Sequence, residues 1–122
     1  MIGRGWLFLG FLAGCAPEEV QSDCTHDPPL SYASFGQGFM TSYCTGCHHS
    51  LLPDGQREGA PMGVDLDTYA DVQQWAERIV ARVETEENPM PPGGGPRADE
   101  IVNIREWIAC KVADDIAAGE QP

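Results

Sequence analysis

Positive charge is scarce in this chain. Among 122 residues, Lys and Arg together number 7 against 19 Asp and Glu, for a formal charge of −12. That balance excludes nucleic acid as a partner, because phosphates demand basic patches. It suits partners that present basic faces. Strand patterning is lacking too, and no internal repeat is found, so all-β architectures and repeat arrays are excluded. No paired carboxylates, no Ser-His-Asp set and no phosphate-binding loop are found, and no enzymatic activity of its own is expected. Loop-formers, by contrast, are abundant: 14 glycines and 10 prolines. One small domain fits this length, and such a domain often needs a staple or a cofactor.

Residues 1–15, MIGRGWLFLGFLAGC, carry one basic residue, Arg4, then a short apolar run from Trp6 to Ala13. A basic start and a brief apolar stretch predict an export signal, too short to span a bilayer as an ordinary helix. The ending Leu12-Ala13-Gly14-Cys15 resembles a bacterial lipobox. The resemblance implies cleavage after residue 14 and lipidation of Cys15, with several acyl chains giving stable anchoring. Ala16 follows the cysteine, and in Gram-negative lipoproteins a residue other than Asp there implies the outer membrane, on its periplasmic side. Residues 15–30 are polar, acidic and proline-containing and predict a tether.

Residues 31–119 read as an all-α domain of three main helices. Tyr32, Phe35, Phe39 and Tyr43 recur at helical spacing behind a possible cap, Ser31. Gly36 and Gly38 interrupt that helix, as glycines do where another element approaches closely. Tyr69, Val72, Ala76, Ile79, Val80 and Val83 mark a second helix, opened by a Thr68-x-x-Asp71 capping box. Ile101, Ile104, Ile108, Val112 and Ile116 mark a third, with Gly119 at its stop. Two long irregular segments join the three. Helix bundles use short connections, so loops of this length imply that they wrap something.

The densest chemistry is at SYCTGCHHS, residues 42–50. Cys44-Thr45-Gly46-Cys47-His48 fits C-x-x-C-H, in which both thiols can form thioethers to one porphyrin while the next imidazole lies under its iron. Structural zinc and a redox disulfide are the rivals. Zinc needs four ligands, and His26, His49, Cys24 and Cys110 are scattered without a second knuckle. A thioredoxin-like pair needs a β-α-β context that this chain lacks. A plain disulfide leaves His48 without a role.

With C-x-x-C-H closing its first helix, a proline-flanked methionine in NPMPPGG and a C-terminal helix, the chain resembles a class I type monohaem cytochrome c domain over about residues 31–118. The resemblance implies a cytochrome c-like fold wrapped round one covalent haem c. It implies His48 and Met90 as axial ligands of the iron, with bis-His ligation or an open site as the alternatives to Met90, and the Pro61 carbonyl accepting the other ring N–H of His48, a place another loop carbonyl could also fill. It further implies that Gly36 or Gly38 admits an aromatic of the last helix, for which Trp107 is the natural partner. Met40 is expected in the core and Met62 on the proximal side; Trp75 is expected either lining the haem pocket or, the favoured reading, as a partly exposed core residue. Arg57 is expected at the surface, with a haem propionate as its other possible partner.

Cysteine arithmetic then leaves Cys24 and Cys110, an even pair in an oxidising compartment, and predicts a disulfide between them. The function implied is electron transfer to redox partners with basic docking faces. A haem-based sensor or ligand-binding module, or an electron-delivering subunit of a redox enzyme, are the alternatives.

Overall fold

The computed structural model describes Gly14 and residues 19–121. The signal segment, apart from Gly14, and Cys15 lie outside the described residues. Among the described residues there is no strand, and all regular structure is helical.

Ser31 caps the first helical rod. Its hydroxyl accepts from the Ser34 N–H at 3.0 Å, and the Ser34 hydroxyl accepts from the Ser31 N–H at 3.0 Å. Two of the helix's orphan donors are thereby satisfied. A wide π-type turn, Tyr32–Gly36, leads into α1, Gln37–Tyr43. Helix α2, Tyr69–Glu84, opens on the reciprocal Thr68–Asp71 capping box. All six residues of its expected stripe, Tyr69 to Val83, are buried. The last rod runs from α3, Ala98–Trp107, through a second π-type stretch, Ile108–Val112, into α4, Ala113–Ala118. It stops at Gly119, whose φ of 70° lies in the left-handed region that glycine enters without a Cβ penalty.

The rods cross at Gly36 and Trp107. A Cβ on Gly36 would stand 2.3 Å from the Trp107 ring, so only a hydrogen there lets the indole seat. Gly38 has nothing near it and plays no such part. Trp107 is fully buried, with Tyr32, Phe35 and Tyr69 ring centroids 6.0–6.3 Å away. Around this hub Phe39, Met40, Ile104, Ile108 and Val112 complete the core. Ile116 departs from its expected stripe and is exposed, while Asp115 is buried. There the rod passes the start of α2, whose Tyr69 hydroxyl donates to Asp115 Oδ2 at 2.6 Å. Lys111 pairs with the other carboxylate oxygen. These two partners satisfy the buried carboxylate, as a charge removed from water requires.

Cys24 and Cys110 form the disulfide that parity predicts, with Cα atoms 5.8 Å apart and a sequence separation of 86. The segment before the first helix is tied down nearby. The His26 N–H donates to Glu106 Oε1 at 2.6 Å, and the Thr25 hydroxyl donates to Oε2 at 3.2 Å. Val20 and Leu30 pack against the core.

Candidate functional site

Helix α1 ends where the cysteine motif begins. The Cys44 and Thr45 N–H groups both donate to the Met40 carbonyl at 2.9 Å, and the His48 N–H donates to the Cys44 carbonyl at 2.9 Å. This compact turn brings Cys44, Cys47 and His48 onto one wall of a single cleft. Neither cysteine is in a disulfide. Burial pushes the Cys44 thiol up to about 12, so it stays neutral and is a poor redox nucleophile.

The cleft has a volume of about 390 Å³. Its second wall is α2, through Trp75, Ile79 and Val83 together with Arg78 and Arg82. These five positions repeat every three or four residues and so share one helix face. Val64 and Leu66 contribute from the loop after the motif. Met90, Pro91 and Pro92 close the remaining side. The methionine segment is hooked onto α2, because the Met90 N–H donates to the Arg82 carbonyl at 2.9 Å.

His48 Nδ1 lies 2.8 Å from the Val64 carbonyl oxygen. A carbonyl can only accept, so Nδ1 carries a proton, and in the neutral ring Nε2 is the nitrogen with the free lone pair. The expected partner was the Pro61 carbonyl, and the structure corrects that assignment. Pro61 opens a turn in which its carbonyl accepts from the Val64 N–H at 3.2 Å, with Gly63 at a φ of 85°. That turn requires positive φ at its third position. Arg57 Nη2 also donates to the Pro61 carbonyl, at 2.9 Å. Pro61 therefore lines the cleft while Val64 meets the histidine.

Arg57 is the second correction. It is fully buried rather than at the surface. Its guanidinium donates to the carbonyls of His49, Ala60, Pro61 and Val64 and to Asp65 Oδ1, at 2.8–3.2 Å. A guanidinium with five donors is the one side chain able to hold so many carbonyls of a strand-free loop. The Leu66 N–H to His48 carbonyl bond (2.9 Å) and the Ser50–Asp67 pair close the loop on itself. With Arg57 spent there, the cationic groups on the cleft are Arg78 and Arg82, which pair with no acidic side chain among the described residues. The helix stripe that continues Trp75 and Ile79 is the signal in the sequence that points to them.

The other candidate ligands lie elsewhere. His49 packs beside Asp67, with Nδ1 3.8 Å from Oδ2, and His26 faces Glu106. Met40 is buried in the core, and Met62 is exposed and off the cleft. Trp75, expected as a partly exposed core residue, lines the cleft and is half-buried. Among the described residues no group of three or more His, Cys, Asp or Glu side chains is placed to hold a metal ion by itself. No described helix is long and apolar enough to cross a membrane. Comparison with protein-family models, curated proteins and solved structures returned no match.

Proposed function

We propose that this protein is an electron carrier that holds one covalently attached c-type haem, with His48 and Met90 as axial ligands. The observation that carries the reading is convergence. Two free cysteines, a histidine with a fixed tautomer and a proline-flanked methionine, 42 positions apart in sequence at His48 and Met90, line one largely apolar cleft.

The residues present fit the group. Cys44 and Cys47 would form its thioethers, and the apolar faces of Ile79, Val83 and Leu66 would cover a porphyrin and exclude water. Arg78 and Arg82 would meet its carboxylates with charge-assisted bonds. When bound, the haem supplies a one-electron ferric/ferrous couple, and a thioether ligand raises its potential. The hydrogen bond at Nδ1 holds the His48 ring and strengthens it as a donor. The tie from Met90 to Arg82 and the flanking prolines keep the methionine segment stiff, so little reorganisation accompanies an electron.

The protein is further proposed to be lipid-anchored through Cys15 on the periplasmic side of the outer membrane. Its partners there are redox proteins with basic docking faces, whose binding weakens as salt screens the attraction. A pyridine haemochrome spectrum of periplasmically matured protein tests the reading. A two-thioether c-type signature is expected, and its absence ends the proposal.

A further inference from the structure

We propose that Arg57 is a positioning residue for His48, acting through the Val64 carbonyl, and that the Arg57–Asp65 pair sets how strongly that histidine donates to a bound metal. The inference rests on the haem reading, and its readout is a potential, not an activity.

One oxygen carries the coupling. The Val64 carbonyl lies 2.8 Å from His48 Nδ1 and 3.0 Å from Arg57 Nη2. It accepts from both: Nη2 shares its two hydrogens among this oxygen, the Pro61 carbonyl at 2.9 Å and Asp65 Oδ1 at 2.8 Å, so the bond to Val64 is one arm of a bifurcated contact. The guanidinium draws electron density from that oxygen, which then pulls less on the Nδ1 proton. A histidine whose second nitrogen is less strongly bonded is a weaker ligand base. The same Nη2 reaches Asp65 Oδ1 at 2.8 Å, so the carboxylate offsets the cation. Arg57 is fully buried, and the Asp65 side chain is 19 % exposed, so neither charge is fully screened by water.

The signs follow from charge. Ferric haem carries one more positive charge than ferrous haem. A buried cation nearby disfavours the ferric form, and so does a weaker histidine base. Arg57 on both counts raises the potential, and Asp65 lowers it. A role in holding the loop alone makes a different forecast. Loosening the loop from either side would relax the Val64–His48 bond in the same sense, so both substitutions would shift the potential in one direction.

Arg57→Gln and Asp65→Asn in the haem-loaded full chain separate the two, with midpoint potentials measured by spectroelectrochemical titration. The His48 Nδ1 proton resonance provides a second readout. At a fixed applied potential the ferrous-to-ferric ratio is expected to fall roughly three- to tenfold in Arg57→Gln and to rise in Asp65→Asn, the scale of one ordinary hydrogen bond. Opposite shifts with an unchanged haemochrome support the proposal. Shifts in the same direction, or none, overturn it and leave Arg57 as a loop clamp. Should Arg57→Gln fail to fold, Asp65→Asn alone decides: a rise supports the proposal, and a fall or no change overturns it. A haemochrome without two thioethers in the parent protein overturns the haem reading itself, and so is told apart from a failure at Arg57.

Discussion

Replacing Gly36 with Ala places a methyl group where the Trp107 ring already lies. The added Cβ would stand 2.3, 2.4 and 2.8 Å from three ring carbons, and carbon atoms in contact prefer about 3.5–4.0 Å. Relief needs a shift of more than an ångström in an indole that Tyr32, Phe35 and Tyr69 surround. Overpacking of this kind costs about 1–3 kcal/mol, and occasionally more. The gain in helix propensity from Gly to Ala returns at most about 1 kcal/mol. A net loss of about 2 kcal/mol is expected, which lowers the melting temperature by roughly 8–16 °C for a domain of this size. Gly38 is the internal control. Its added Cβ meets nothing within 4 Å, so Gly38→Ala should stabilise by up to about 1 kcal/mol. Thermal and urea unfolding under non-reducing conditions, run on both variants, reads the difference. A Gly36→Ala protein as stable as its parent, or a Gly38→Ala protein that loses as much, would refute the crossing geometry.

Cys110→Ser opens an 86-residue separation, and chain entropy puts the loss at about 4–5 kcal/mol, measurable by urea unfolding of variant against parent. Asp115 is held below the usual carboxylate range by its bonds from Lys111 and Tyr69. A depressed folded value means that this stabilisation is present above the ordinary value of 3.8 and is lost as pH falls through the lower folded one. Asp115→Asn should therefore flatten the acid limb of a stability–pH curve. In haem-free folded protein at about pH 8, the partly buried Cys44 thiol should alkylate roughly tenfold or more slower than an ordinary thiol and become reactive on denaturation, as mass spectrometry would show. Haem-free protein should bind a dicarboxylate porphyrin more tightly than its dimethyl ester. Arg78→Gln with Arg82→Gln should remove about tenfold of that preference, followed by fluorescence quenching.

The amino-acid sequence determines what depends on neighbours along the chain. Helix faces are periodic, so the buried stripe of α2 could be read directly from residues 69–83. The capping box at Thr68 and the stop at Gly119 depend on backbone rules acting within a few residues. With Cys15 set aside by the lipobox resemblance and Cys44 and Cys47 by the C-x-x-C-H motif, parity left Cys24 and Cys110 as the pair that the structure joins. The C-x-x-C-H spacing puts three groups on one short turn whatever the rest of the chain does. Contacts made through irregular backbone were decided only by the tertiary structure. Which carbonyl meets His48 depends on a turn at Pro61–Val64 and on a buried arginine that gathers the loop, and neither leaves a period in the sequence. Arg57 reads as surface because an arginine in a polar loop normally is. It is buried because folding gathered four carbonyls and the Asp65 carboxylate around it, and such partners offset removing a guanidinium from water.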